Sequence, residues 1–261
     1  MAKLALHHEQ FGRGPDLVIL HGLFGSGNNW RSFAKKLSKD FRISLVDLRN
    51  HGKSPNSEEM DYIVMLEDVL LFLEQKTADS VSVLGHSMGG KTAMQLALRH
   101  PQKIKNLIVG DISPVVYANG DGHRSYLKAM NSIPLTRGLA RTEIDELLSK
   151  SIPESTIRTF LLTNLEIRSS QSNWKINLKA LEENLSDLMD FPIDPKMLPF
   201  NGNSLFIAGN NSNYIQNQHQ PVLQQWFPKH RLVRLKNCGH WIHIDQPEAL
   251  IKTLKYFLSE T

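Results

Sequence analysis

Short apolar runs recur along the chain and are separated by longer segments with helical periodicity. The runs are rich in β-branched residues and do not alternate strictly with polar positions, which is typical of strands covered on both faces. We predict strands at residues 17–20, 44–48, 81–85, 106–110, 204–209 and 231–235. Because these strands alternate with helices, we predict an α/β fold with a mostly parallel central sheet and helices on both faces.

Two of the intervening segments carry an apolar stripe along one helical face. The first stripe consists of Tyr62, Leu66, Val69, Leu70 and Leu73. The second consists of Leu250, Ile251, Leu254 and Phe257. Pro247 lies just before the second stripe, where the fixed φ and missing N–H of proline suit the first turn of a helix. We therefore predict that a helix begins there.

The alternation of strands and helices breaks between about residues 115 and 199. We predict no strand in this region, but several helices, around 123–130, 141–150, 154–162 and 178–188. The simplest interpretation is a helical cap, residues 115–199, inserted into an α/β core made of residues 1–114 and 200–261. An ordinary run of surface helices is the alternative.

Composition narrows the class of protein. The 261 residues, 41% of them hydrophobic, suit a globular domain, and the net charge of +4 is too scattered to predict a nucleic-acid partner. Cys238 is the only cysteine, which excludes an internal disulfide and a cysteine zinc cluster and fits a reducing compartment. We find no secretory signal and no apolar run that could span a bilayer. We expect a cytoplasmic protein without membrane insertion, and we predict no oligomeric state.

The most informative motif is Gly85-His86-Ser87-Met88-Gly89, which follows a predicted strand and precedes a predicted helix. A G-x-S-x-G sequence in this setting is typical of a nucleophile elbow, a tight turn that lifts the serine hydroxyl clear of the sheet. Side chains at positions 85 and 89 are expected to clash in such a turn. Ser87 is therefore the candidate nucleophile, and a serine in a glycine-rich turn without chemistry is the alternative.

A second glycine-containing loop, His21-Gly22-Leu23-Phe24-Gly25-Ser26, follows an early strand. An oxyanion needs two N–H donors already aimed at it. The Met88 amide, just after the nucleophile, is one candidate. The second donor is the amide of Leu23 or, as the alternative, that of Phe24. A turn that merely tolerates glycine is the interpretation without function.

These motifs and Gly239-His240 occur in the order found in the α/β-hydrolase superfamily, which the chain resembles over nearly its whole length. Further segments resemble the YbfF-type bacterial esterases and the related mitochondrial α/β-hydrolase-domain esterases. They are Arg49-Asn50-His51-Gly52, Gly85-His86-Ser87-Met88-Gly89-Gly90-Lys91, Asp111-Ile112-Ser113-Pro114, Trp174-Lys175-Ile176-Asn177 and Gly239-His240-Trp241. The resemblance implies an α/β-hydrolase fold, hydrolysis of short acyl esters or acyl-CoA thioesters, and no metal or organic cofactor.

The base and the acid are sought among the loops that follow the later strands. His240 follows the last predicted strand and is the candidate base for Ser87. The residue three positions after Gly209, where the superfamily usually has its acid, is Ser212. Asp111 ends the strand after the nucleophile strand, and the carboxyl ends of neighbouring strands meet in one crevice. Asp111 is therefore the candidate acid, and the resemblance implies that Ser212 adds a hydrogen bond near the histidine.

We interpret the chain as a serine esterase or thioesterase whose partner is a small acyl ester or thioester. Phe24 and Trp241 are candidate substrate-binding residues because apolar side chains suit an acyl chain, and Trp174 is added from the resemblance. A carbon–carbon bond hydrolase, a lactonase or a perhydrolase could use the same residues. A binding protein that kept the fold without the activity is the alternative from another class.

Overall fold

The computed structural model describes residues 3–76, 80–118, 120–135, 138–167, 171–194 and 196–260. The strands in these ranges are β1 His8–Phe11, β2 Asp16–Leu20, β3 Arg42–Val46, β4 Val81–His86, β5 Ile104–Gly110, β6 Leu165–Glu166, β7 Asn173–Trp174, β8 Asn203–Gly209 and β9 His230–Leu235. A seven-stranded sheet has the order β1-β3-β2-β4-β5-β8-β9. Its pairings are parallel except that of β1 with β3. The predicted α/β fold is confirmed.

Helices cover both faces of this sheet, and further helices lie in the segment between β5 and β8. The helices are α1 Arg31–Leu37, α2 Tyr62–Lys76, α3 Met88–Arg99, α4 Asp121–Asn131, α5 Arg141–Ser149, α6 Ser155–Leu161, α7 Leu178–Glu183, α8 Leu185–Met189, α9 Gln220–Trp226, α10 Ile242–Asp245 and α11 Pro247–Ser259. The last helix begins at Pro247, as predicted. In the described ranges, no helix has both the length and the apolar character needed to cross a membrane.

Successive residues of the central strands face opposite sides of the sheet. In β2, Leu17 and Ile19 pack in one buried cluster with residues of α1 and α11, while Val18 and Leu20 pack in the other with residues of α2 and α3. Both faces of each strand are therefore covered, which explains why the apolar runs lack strict alternation.

The first strand was not predicted from the sequence. β1 is an edge strand that pairs antiparallel with β3, and none of its residues is fully buried. Its sequence, His-Glu-Gln-Phe, lacks the apolar run that marks the buried strands. An edge strand is covered less completely, so its composition gives a weaker signal.

The segment between β5 and β8 contains the helices α4 to α8. The prediction of no strand in this segment is wrong, because β6 and β7 form a small antiparallel pair. The single helix predicted over 178–188 is divided into α7 and α8 at Asn184. The segment is tied to the core by side chains of α2 and α3: the Tyr62 hydroxyl donates to the Leu188 carbonyl at 2.6 Å, and Gln95 Nε2 donates to the Pro192 carbonyl at 2.7 Å.

Buried histidines give the fold a defined response to acid. Burial lowers the pKa of His51 and of His86 to about 3 and that of His123 to about 4. In the unfolded chain a histidine titrates near about 6.5, so unfolding below that pH takes up protons that the folded protein does not bind. The stability that these neutral histidines contribute is present above pH 6.5 and is lost as the pH falls toward 4.

We therefore expect the free energy of unfolding to fall steeply in mild acid. Each such histidine contributes about 1.4 kcal/mol per pH unit, so these three give at least about 4 kcal/mol per pH unit between about pH 5.5 and 4.5, and the buried His21 and His243, whose pKa values burial also lowers, add to this slope. Urea unfolding across this interval measures the slope. A His51→Gln variant should have a slope smaller by about 1.4 kcal/mol per pH unit, whatever its absolute stability. A slope that stays near zero would contradict the lowered pKa values.

Candidate active site

Ser87 lies on a tight turn between β4 and α3, with φ 52° and ψ −118°. A Cβ on Gly85 would lie 2.1 Å from the Gly89 carbonyl oxygen, and a Cβ on Gly89 would lie 2.5 Å from the His21 carbonyl oxygen. Both positions therefore require glycine, as the sequence predicted. The positive φ of a non-glycine residue costs about 1–3 kcal/mol, and such conformations concentrate at functional sites.

Asp111 and His240 come together at the carboxyl edge of the sheet. His240 Nδ1 lies 2.8 Å from Asp111 Oδ2, and the Asp111 side chain is completely buried. The second carboxylate oxygen, Oδ1, accepts the Gly209 N–H at 3.0 Å. Asp111 also has a positive φ, 48°. Because the carboxylate can only accept from Nδ1–H, it selects the tautomer whose Nε2 is free to take a proton.

The third residue after Gly209 contacts the carboxylate rather than the imidazole. The Ser212 hydroxyl donates a hydrogen bond to Asp111 Oδ2, the oxygen that also binds His240. The Ser212 hydroxyl oxygen accepts the Tyr214 N–H at 3.3 Å. The residue predicted to add a hydrogen bond near the histidine therefore bonds to Asp111.

Ser87 and His240 line the same cavity, described below. Among the described residues, no hydrogen bond joins their side chains. Catalytic hydrogen bonds are often long in enzymes without substrate and shorten when the substrate binds. Ser87 and His240 thus share one cavity, and His240 is hydrogen-bonded to Asp111 rather than to Ser87.

The glycine-containing loop after β2 makes a tight turn beside Ser87. The Gly25 N–H donates to the Gly22 carbonyl at 3.0 Å, and Phe24 has a positive φ of 61°. The Leu23, Phe24 and Met88 amides bond to no acceptor in the part of the chain that the structure describes. All three remain candidate donors to an oxyanion, so the choice between Leu23 and Phe24 stays open.

Asn164 holds this loop from the segment between β5 and β8. Its Nδ2 donates to the Phe24 carbonyl at 2.7 Å and to the Leu161 carbonyl at 3.2 Å. Asn164 is 3% exposed, so both hydrogen bonds are shielded from water. The sequence analysis missed this residue, because its partner lies 140 positions away in the chain.

Two aromatic side chains contact the imidazole of His240. The Tyr214 ring stacks on it with centroids 4.1 Å apart and planes at 27°. The His86 ring lies 4.7 Å away, and its Nε2 bonds to the His240 carbonyl at 2.8 Å. Burial lowers the pKa of His86 to about 3, so at neutral pH it is uncharged and donates this bond. Both contacts restrict the orientation of His240.

Two cavities meet at Ser87. The first, of about 350 Å³, is called the α8 cavity because Leu188 and Met189 close it. The second, of about 300 Å³, is called the α6 cavity because Ile157, Phe160 and Leu161 close it. Leu23, Ser87, His123 and Tyr214 line both. A bond attacked by Ser87 could therefore extend one arm into each cavity.

Only two of the three predicted substrate-binding residues line the cavities at Ser87. Phe24 and Trp241 line the α6 cavity, where Trp241 packs on Phe160 with ring centroids 5.5 Å apart. Trp174 lies elsewhere: its Nε1–H donates to the Met130 carbonyl at 3.1 Å, and it lines a different depression. This bond joins the Trp174 indole to α4, and Trp174 lines neither of the two cavities that contain Ser87.

Known proteins resemble this chain in sequence and in fold. A family model described as alpha/beta hydrolase fold matches residues 15–247. The sn-1-specific diacylglycerol lipase ABHD11 of Mus musculus is 38% identical over 251 residues, which cover 94% of this chain and 81% of that protein. Esterase YbfF of Escherichia coli is 30% identical over 244 residues, covering 94% and 93%. A solved structure named marine microorganism esterase superposes with a TM-score of 0.95 at 38% identity, covering 98% of this chain and 100% of that one.

Proposed function

Because the chain belongs to the α/β-hydrolase family, we propose that it is a serine esterase in which Ser87, His240 and Asp111 act together. The observation that carries the proposal is the 2.8 Å bond between His240 Nδ1 and the buried Asp111 carboxylate, at the edge where the Ser87 turn opens. Relatives named esterase and lipase support hydrolysis of an ester bond.

Acylation begins when Ser87 Oγ attacks the ester carbonyl carbon. His240 Nε2 takes the hydroxyl proton, and Asp111 stabilises the imidazolium that forms. The carbonyl oxygen becomes an oxyanion, which the Met88 amide and the amide of Leu23 or Phe24 bind. The carbon–oxygen bond to the leaving alcohol then breaks, and the alcohol departs with the proton from Nε2. Ser87 is left as an acyl ester.

Deacylation repeats the sequence with water. His240 Nε2 takes a proton from the attacking water, the same amides bind the second oxyanion, and Ser87 Oγ leaves with the proton returned by Nε2. The carboxylic acid is released. A thioester follows the same steps with a thiol as the leaving group, so acyl thioesters are included in the proposed substrate class.

The segment from residue 115 to 199 is proposed to act as a cap over Ser87. Side chains of α4, α6 and α8 close both cavities: Tyr126 and Phe160 on one side and Leu188 on the other. Asn164 of the same segment bonds to the loop that carries the candidate oxyanion donors. The cap thus shapes the substrate arms and supports the site.

Labelling with a fluorophosphonate probe tests the proposal. We expect the wild-type protein to be labelled at Ser87 and to hydrolyse a panel of p-nitrophenyl esters and acyl-CoAs, with Ser87→Ala as the control. Absence of both labelling and hydrolysis in the folded protein would refute it. Activity confined to lactones, carbon–carbon bonds or peracid formation would move the protein to one of the alternative classes.

Removing the Ser212 hydroxyl should have a modest effect on catalysis. The Asp111 carboxylate would lose one hydrogen bond and keep those to His240 and Gly209. A hydrogen bond to a charged group contributes about 1.5–3 kcal/mol, so kcat of Ser212→Ala is expected to fall about 10- to 100-fold. The kcat for a p-nitrophenyl ester, compared with that of Asp111→Asn, measures this. A loss as large as that of Asp111→Asn would place Ser212 on a level with the acid.

A further inference from the structure

A buried lysine lines the α8 cavity one helical turn beyond Ser87. Lys91 is 1% exposed. Its Nζ donates to the carbonyl oxygens of Met189, at 2.9 Å, and Asp190, at 2.6 Å. An ammonium group has three donors, so one remains after these two bonds. A cationic group is thus held in a cavity that opens on the nucleophile.

Among the described residues, Lys91 forms no ion pair with a carboxylate, and the charge of Asp190 favours the protonated form of Lys91 without such a pair. Arg49, another buried cation, forms an ion pair with the buried Asp68. The Asp190 carboxylate accepts the neighbouring Phe191 N–H instead. Burying a charge is costly unless an opposite charge compensates it. A ligand that carries an anionic group into this cavity would supply that compensation.

The tyrosines beside Lys91 do not supply a negative charge. Nζ lies 4.8 Å from the centre of the Tyr117 ring and 5.5 Å from that of Tyr62, close enough for cation–π attraction. The hydroxyl of Tyr62 donates to the Leu188 carbonyl and that of Tyr117 to the Tyr214 carbonyl. Both rings therefore stabilise the ammonium without neutralising its charge.

We propose that Lys91 forms an anion subsite of the α8 cavity, where it binds a carboxylate at the far end of one substrate arm. The substrate class is then an ester or thioester with a carboxylate on the acyl arm or the alcohol arm, such as a half-ester of a dicarboxylic acid. This inference rests on the proposed esterase function and specifies its substrate.

The lowered pKa of Lys91 gives the subsite an expected pH dependence. Burial lowers the pKa of Lys91 to about 7, against the opposing effect of Asp190. Tyr62 and Tyr117, the other titratable groups that face Nζ, have pKa values raised by burial and stay neutral. The charge at Nζ is therefore largest below pH 7 and declines above it, while a substrate carboxylate stays ionised.

Two histidines on the cavity wall do not share this behaviour. Burial lowers the pKa of His123 to about 4 and lowers that of His219 as well. Both favour the neutral form in the range where Lys91 titrates. Preference for the carboxylate substrate over its uncharged analogue should therefore decline as the pH rises from about 6 to 9. The ratio of the two kcat/KM values removes the titration of the base, because both substrates need it.

The experiment compares two matched series of esters, one with a terminal carboxylate on the acyl arm and one with it on the alcohol arm. Each member is paired with a methyl-terminated analogue of equal length. In one series we expect kcat/KM to favour the carboxylate about 10- to 100-fold near pH 6, as for a hydrogen bond to a charged group. We expect this ratio to fall to near 1 by pH 9, because little of Lys91 is then charged. Lys91→Met should abolish the preference and its pH dependence.

Lys252→Met is the matched control, because Lys252 is exposed on α11 and its loss changes the net charge equally. It should keep the wild-type ratio. A wild-type protein without preference in either series, or a Lys91→Met variant with the wild-type ratio, would overturn the subsite. If Lys91→Met does not fold, the wild-type protein alone tests the subsite: a carboxylate preference that does not decline as the pH rises would overturn it. Failure of the esterase proposal looks different: the uncharged esters would not be hydrolysed and Ser87 would not be labelled.

Discussion

Replacing Ser87 with alanine is expected to lower kcat for ester hydrolysis by about a million-fold, the loss seen when a serine hydrolase is deprived of its nucleophile. The substitution removes only Oγ, the atom that would form the acyl ester. Alanine at position 87 keeps the backbone at φ 52° and the flanking glycines in place. The free energy of unfolding should therefore change little, since serine and alanine experience similar strain at this φ.

Single-turnover kinetics with a p-nitrophenyl ester measure this loss, and thermal unfolding confirms that the variant is folded. Ser149→Ala is the matched control, because Ser149 is an exposed serine at the end of α5. It should retain full activity and full fluorophosphonate labelling. A Ser87→Ala protein that hydrolyses esters at a rate near that of the wild type would rule out Ser87 as the nucleophile.

The sheet could be predicted from the sequence because its inner strands are buried on both faces. A strand such as β2 has to be apolar at successive positions, and this requirement leaves a run that is visible without the fold. β1 has only one neighbour in the sheet and mixed side chains, and β6 and β7 have two residues each, so neither type leaves such a run. Continuous burial thus accounts for the prediction of the inner strands, whereas β9, an edge strand with only one fully buried residue, was predicted from its apolar residues alone.

The residues of the candidate site also differ in how well the sequence marks them. Ser87 and His240 follow strands in recognisable local motifs, and Asp111 could be found because parallel strands end at a common edge. Asn164 and Tyr214 reach the site through folded contacts between distant segments, so no local pattern marks them. For Trp174 the resemblance suggested a role at the site, but the indole bonds within the inserted segment.

Asp111→Asn is expected to lower kcat by about ten-thousand-fold, as in a serine protease whose triad aspartate is changed to asparagine. The amide oxygen of the introduced side chain can still accept the Gly209 N–H, so its nitrogen would face His240 Nδ1. An amide nitrogen donates, so it would favour the tautomer with the proton on Nε2. That nitrogen of the imidazole could then no longer accept the Ser87 proton. Retention of near-full activity by Asp111→Asn would reject Asp111 as the acid.

The position of Ser212 makes a compensating change possible. Its hydroxyl reaches the same Asp111 oxygen that binds His240, so an aspartate at 212 would bring a carboxylate to the vicinity of Nδ1. We expect Asp111→Asn/Ser212→Asp to recover at least about tenfold in kcat over Asp111→Asn, because one carboxylate again selects the productive tautomer.

Ser212→Asp alone should lose activity, since two carboxylates at one site raise the pKa of one of them and compete for the imidazole. The effect of Ser212→Asp on kcat should therefore be harmful in the wild type and beneficial in Asp111→Asn. Such a reversal would show that the two positions share one electrostatic site, because independent effects keep the same sign in both backgrounds. If the acid position can be exchanged between the two loops, the double variant is more active than Asp111→Asn, although each single change is harmful. If the effects simply add, the double variant is the least active of the three. The sign of the coupling, from kcat of the four proteins, therefore tests whether the loops after β5 and β8 serve one imidazole.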